Sequence, residues 1–108
     1  MSSDSSVAVI ALSGELDVGR SDEVARALEL PSGATPVLLD LSDVSYADST
    51  VISALFGFSE RAAAANARIA ILIVKPQLVR LLEYAGLGEA FPVFRERSAA
   101  LTYLLRNG

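Results

Sequence analysis

The chain has 108 residues, of which 52% are apolar, and a net charge of −4 from 13 acidic and nine basic side chains. That length fits one domain with a single core between two layers of secondary structure. With no cysteine and no histidine, disulfides, thiolate metal sites, Ser–His–Asp and Cys–His catalysis and most zinc chemistry are excluded.

The chain opens on Met1–Ser6, a serine-rich stretch with Asp4, which reads as a flexible tail ahead of a domain over residues 7–108. It has no basic residue and no long apolar region, so it does not read as a secretory signal. No apolar run approaches the roughly 18–20 residues of a membrane span. The expected location is therefore the cytoplasm, with no membrane partner. The basic residues are scattered and form no stripe, which argues against direct nucleic-acid binding.

Val7–Ser13 (VAVIALS) is a short apolar run suited to a buried strand, closed by a turn at Gly14-Glu15-Leu16-Asp17. Ser21 is placed to cap a helix over Asp22–Leu30, with Val24, Ala27 and Leu28 at helical spacing. Pro31–Pro36 is composed of turn residues. Val37–Leu41 (VLLDL) reads as the second strand, and Ser42–Ala47 as a connection. Asp48-Ser49 then leads into a helix from about Thr50 to Asn66. Val51, Leu55, Phe58 and Ala62 line one face of it, widened by Ile52 and Phe56. Gly57 weakens that helix by about 1 kcal/mol relative to Ala and leaves room for close packing.

Arg68–Val74 (RIAILIV) has the β-branched content of a buried strand. Pro76 suits a first helical position, followed by a stripe of Leu78, Leu81, Leu82 and Ala85. Gly86 can end that helix in a left-handed conformation. Phe91–Phe94 fits a short edge strand, since Pro92 cannot donate to a central ladder. Ser98 is placed to cap a last helix carrying Leu101, Leu104 and Leu105. The order β-α-β-α-β-α-β-α predicts an α/β domain with a mostly parallel four-stranded sheet and packed helices.

Three segments in this order carry a resemblance: the strand followed by Gly14-Glu15-Leu16-Asp17, then Val37-Leu-Leu-Asp-Leu-Ser-Asp-Val-Ser-Tyr-Ala-Asp-Ser-Thr50, then Leu81-Leu-Glu-Tyr-Ala-Gly-Leu87 with Phe91. Together they resemble the STAS domain of anti-sigma-factor antagonists, over about residues 7–106. The resemblance implies that Ser49 is the phosphate-accepting serine, with Asp48 its acidic neighbour and Thr50 at the adjacent hydroxyl position. It also implies partner contacts from Glu15, Asp17, Asp48, Thr50 and Ser53. The implied partners are an anti-sigma factor with serine-kinase activity and a phosphatase that resets Ser49; no catalytic residue, cofactor or metal of the chain's own is implied. Two departures stand out. Val51 occupies a position where the family usually has Gly, and only the serine-rich stretch precedes Val7 where the family usually has an extra strand. The second departure leaves a sheet edge exposed or free for a partner, so the expected state is a monomer or weak homodimer.

Plainer readings stand beside these. Asp48-Ser49-Thr50 taken alone is an ordinary helix cap, contributing about 1 kcal/mol, and an exposed cap can also be modified. Glu15 and Asp17 read as a solvated turn before they read as paired acid–base groups. Phe56 and Phe58 suit packing, while Tyr46 fits either a buried wall or an exposed contact. The alternative function is a STAS module that binds partners without phosphorylation, as a scaffold or a transporter-accessory subunit, and Val51 favours it. Asp40 and Lys75-Pro76 invite a response-regulator-like receiver, but Glu15 and Asp17 are in the wrong context for that fold's magnesium-binding acidic pair. No carboxylate or lysine constellation supports a hydrolase.

Overall fold

A computed structural model describes residues 7–30 and 35–106. The proposed tail Met1–Ser6 and most of the Pro31–Pro36 loop lie outside the described residues. The elements are β1 (Ala8–Leu16), α1 (Ser21–Ala27), β2 (Val37–Ala47), α2 (Ser49–Ala64), β3 (Ile69–Leu72), α3 (Pro76–Tyr84), β4 (Val93–Phe94) and α4 (Arg97–Leu104). Short 3-10 turns at Val18–Arg20 and Leu87–Glu89 precede α1 and β4. The four strands lie in the order β1-β2-β3-β4, and every neighbouring pair is parallel. The predicted α/β architecture is the one observed.

The sheet is buried on both faces where it is widest, so β3 is apolar at every position and all four of its residues are buried. Successive residues feed opposite cores. On β2, Leu39 and Leu41 join the larger cluster with the buried residues of α1, α2 and α3. Leu38 joins Val7, Ala70, Leu72, Ala100 and Leu104 under α4. The face predicted for α2, namely Val51, Leu55, Phe58 and Ala62, is the buried face. Phe58 stacks on Phe91 with ring centroids 6.5 Å apart. Arg68 fixes the end of α4 by donating to the carbonyls of Tyr103 (3.3 Å) and Arg106 (2.7 Å). A cation there also complements the helix dipole.

Several boundaries move. β2 does not stop at Leu41 but runs on through Ser42–Ala47, and β1 runs on through Gly14-Glu15-Leu16. These upper halves pair only with each other, and the register slips twice, between Ala11 and Ser13 and between Gly14 and Glu15. Such irregularities let polar residues sit in a strand. At the first slip Asp40 accepts from both the Ser42 amide (3.0 Å) and the Ser42 hydroxyl (2.6 Å). Neither predicted serine cap forms. Ser21 and Ser98 are inside their helices, and the cap positions belong to Arg20 and Glu96, which make no side-chain cap bond. α1 also ends at Ala27 rather than Leu30. Leu30 precedes Pro31, which disfavours helical backbone. Of the stripe predicted for α3, Leu78 and Leu82 are buried and Leu81 is half-buried, Val79 is buried beside them, and Ala85, just past the helix, is exposed. Pro76 and Gly86 behave as predicted: Pro76 opens α3, and Gly86 follows it at φ 81.

Gly57 and Asp40 each give a stability prediction. A Cβ on Gly57 meets only the tip of Arg61, at 3.4 Å, so no backbone comes close enough to require glycine. Gly57→Ala is expected to stabilise the protein by about 0.5–1 kcal/mol, measured by urea unfolding; destabilisation would contradict the open space seen there. The side chain of Asp40 is 14% exposed and accepts from Arg97 at 2.9 Å. Burial alone pushes its carboxyl pKa up, but the Ser42 and Arg97 hydrogen bonds outweigh it and hold the pKa below the ordinary value. A depressed folded-state pKa stabilises above the unfolded value and is lost as pH falls through the folded one. Asp40→Asn is therefore expected to cost about 1 kcal/mol near neutrality. The deficit should vanish under acid below the ordinary carboxylate range, and a deficit independent of pH would refute the assignment.

Candidate functional site

Parallel strands end on a common rim, where ligands and partners of open α/β sheets are usually met. Here β1 and β2 end together: Glu15 is in register with Tyr46, Leu16 with Ala47, and the Asp48 amide donates to the Leu16 carbonyl at 3.1 Å. This ties the GELD segment to the start of α2. Asp17 follows immediately and accepts from the Gly19 amide at 3.1 Å, capping the 3-10 turn. Leu16 and Ala47 point into the core beneath α2, while Glu15 and Tyr46 take the opposite face of the sheet. Both are exposed, Tyr46 by 46%.

Asp48 is the N-cap of α2. Its backbone is extended (φ −85, ψ 177), and its carboxylate accepts from the Val51 amide at 3.0 Å. Ser49 is the first helical residue, so the helix starts one position earlier than predicted and the cap is Asp48 rather than Ser49. The Ser49 side chain is exposed, and its hydroxyl has no hydrogen-bond partner among the described residues. Val51 is fully buried. The segment is therefore a capped helix start in which position 51 faces the core, and a valine there leaves the local backbone helical. Asp48→Ala is expected to cost about 1 kcal/mol by loss of the cap, measured by thermal unfolding. An unchanged midpoint would show that the cap contributes nothing.

Thr50 and Ser53 are exposed on one face of α2. With Ala25, Leu28, Gly57 and Arg61 they line an open groove of about 530 Å³ between α1 and α2. Arg61 borders this groove and donates to the Leu28 carbonyl at 3.1 Å. The structure thus gathers Asp17, Asp48 and Ser49 at the strand ends and extends that surface through Thr50 and Ser53. Glu15 flanks it from the other face. Asp43 does not join the group: it lies four residues back from Ala47 along β2, about 13 Å at strand rise, beyond the reach of screened charge. Asp40 is mid-strand, engaged by Ser42 and Arg97, so it is not the strand-end carboxylate that a receiver requires.

One side chain that the sequence reading passed over is Arg20. Its guanidinium donates to the carbonyls of Ser13 (2.7 Å) and Glu15 (3.3 Å) and to both carboxylate oxygens of Glu23. The Glu23 bond raises the pKa of Arg20, and the Arg20 bond lowers that of Glu23. Gly14, at φ 83, lies under this guanidinium, and a Cβ there would approach Arg20 Nη1 to 3.1 Å. The helical spacing of Arg20 and Glu23 was a readable signal for the pair, but the contacts to strand carbonyls depend on the fold.

The sequence matches the family model of the STAS domain over residues 1–100. The chain belongs to the STAS domain family. Among solved structures, this STAS domain is similar to an anti-sigma factor antagonist from Mycobacterium paratuberculosis, with a TM-score of 0.83 at 22% identity, covering 94% of this chain and 87% of that one. It is also similar to a candidate anti-sigma factor antagonist of Thermotoga maritima, with a TM-score of 0.79 at 19% identity, covering 91% and 88% of the two chains. At these identities the likeness establishes the STAS fold. Among curated proteins no sequence matches this STAS domain. Among the described residues no helix is long and apolar enough to cross a membrane, and no group of three metal-ligating side chains could hold an ion.

Proposed function

We propose that this STAS domain is an anti-sigma-factor antagonist controlled by phosphorylation of Ser49. One observation carries the reading: the Ser49 hydroxyl stands exposed, without a hydrogen-bond partner among the described residues, at the first position of α2. The likeness to solved antagonists supports it. The unmodified domain binds an anti-sigma factor through Asp17, Asp48, Thr50 and Ser53, with Glu15 at the flank, and so frees a sigma factor for transcription in the cytoplasm. The anti-sigma factor is also the kinase. Ser49 Oγ attacks the γ-phosphorus of ATP, ADP leaves, and a kinase base takes the hydroxyl proton. The kinase supplies Mg–ATP and the base, so the domain is a substrate and binding partner, and a phosphatase later hydrolyses the ester.

The physical logic lies in the helix start. The first amides of a helix are unpaired and carry partial positive charge, so an anion is tolerated there. Asp48 already uses the Val51 amide, but the amides of the first helical positions remain for the ester. The fold is spared, while the docking surface gains about −1.5 to −2 charges beside Asp17 and Asp48. A partner seated on this rim is then repelled.

The test is incubation with the cognate kinase-type anti-sigma factor and Mg–ATP, followed by intact mass. The expected result is the gain of one phosphoryl group, lost in Ser49→Ala and kept in Thr50→Ala. No gain in the wild-type domain would favour the alternative, an unphosphorylated scaffold or transporter-accessory module.

A further inference from the structure

A second hollow lies at the ends of β3 and β4, and it shares no residue with the groove between α1 and α2. It holds about 120 Å³ between α3, the Leu87–Glu89 turn and the strand ends. Its floor is apolar. Ile73, Val79, Leu82 and Leu87 line it, and all four are buried members of the larger core cluster. Ile73 follows the last residue of β3, and Arg95, also in the lining, follows the last residue of β4. The hollow therefore sits at the carboxyl ends of two parallel strands, where open α/β sheets usually receive ligands. Close-packed interiors leave few voids larger than a water molecule. An apolar cavity of about 150 Å³ is large enough for benzene, so this one suits a branched group of roughly four carbons.

Two opposite charges stand at its mouth. Glu83 on α3 and Arg95 after β4 both line the hollow, and both are exposed. Among the described residues neither is in an ion pair, with the other or with a third group. We infer that the hollow binds a free aliphatic α-amino acid of about the size of leucine. The isobutyl group fills the apolar floor, Arg95 donates to the carboxylate, and the ammonium donates to Glu83. Charge complementarity selects this class. A branched carboxylic acid would satisfy Arg95 but bring like charge to Glu83, and a branched amine would do the reverse at Arg95. A zwitterion satisfies both. An α-amino acid also carries its two charges on the carbon that bears the side chain, so the charges stay at the mouth while the side chain enters. Drug-sized ligands occupy about 300 Å³ or more, so the volume excludes larger molecules.

The test is titration of the wild-type chain with leucine, followed by calorimetry and amide NMR. Saturable binding is expected, with shifts centred on Gly88, Val93 and Arg95 and none at Ser49. Alanine, three carbons shorter, should bind at least about tenfold more weakly. Arg95→Gln and Glu83→Gln should each weaken leucine binding about three- to tenfold, with an unchanged melting temperature because both side chains are exposed. Gly88 also lines the hollow, and a Cβ there meets nothing within 4 Å. Gly88→Leu therefore supplies an isobutyl group of its own and should abolish binding with unchanged circular dichroism. Absence of saturable binding up to about 10 mM leucine overturns the inference. Isocaproate or isoamylamine binding as tightly as leucine overturns the recognition of a zwitterion. Equal binding of N-acetyl-leucinamide, which has neither charge, would also overturn it and assign the hollow to an aliphatic side chain of a partner protein.

Discussion

Ser49→Ala is expected to bind the anti-sigma factor within about two- to threefold of the wild-type affinity, because an exposed substitution without partners costs at most about 0.5 kcal/mol. In the presence of Mg–ATP the two proteins should part company. The wild-type complex dissociates as Ser49 is modified, whereas the complex of the Ser49→Ala variant persists. A surface-plasmon-resonance chase with and without Mg–ATP measures this directly. Ser49→Glu should show the converse, an affinity lowered by about tenfold or more by apposed like charge. Its melting temperature should stay close to wild type, since an acidic residue at a helix start is tolerated by the dipole. If ATP released the Ser49→Ala variant as fast as wild type, release would have to originate elsewhere.

The second large effect concerns the core that carries the site. Phe58 is fully buried and stacks on Phe91, so it joins the face of α2 to the segment leading into β4. Phe58→Ala removes the ring and leaves a cavity, which typically costs about 3–5 kcal/mol. Against a domain stability of about 5–15 kcal/mol, this is a fall in melting temperature of over about 10 °C. The half-buried Phe56 should cost clearly less. Urea unfolding followed by circular dichroism compares them, and equal costs would contradict the assigned face. Because the same helix begins at Ser49, a destabilised Phe58→Ala should also bind its partner less well on warming, an indirect effect that separates packing from contact.

The parts of this fold legible in the sequence are those with a strong period or a rigid residue. The i, i+4, i+7, i+11 spacing of Val51, Leu55, Phe58 and Ala62 identified the buried face of α2 because a long amphipathic helix repeats its signal. Pro76 and Gly86 marked the two ends of α3 because their backbone preferences are local. The polar half of β2 was not legible: Ser42–Ala47 reads as a connection, and it is held as a strand by β1 and by the bond of Asp40 to Ser42. Ser21 and Ser98 had the chemistry of caps, but α1 begins one residue earlier, and α4 two residues earlier, than a serine cap requires. At the site, Asp48-Ser49-Thr50 was found by its motif, whereas the division of labour was not: Asp48 caps and Ser49 is left exposed. The pairing of Arg20 with Glu23 is readable from their helical spacing, whereas its bonds to the strand carbonyls five and seven residues back have no side-chain pattern to announce them.

The decisive measurement is calorimetric titration of the anti-sigma factor with the domain before and after stoichiometric phosphorylation, alongside amide NMR spectra of both forms. The account predicts a loss of affinity of at least about tenfold on modification, with spectral changes confined to the ends of β1 and β2 and the first turns of α2. Equal affinity for the two forms, or a spectrum altered throughout the core, would contradict it.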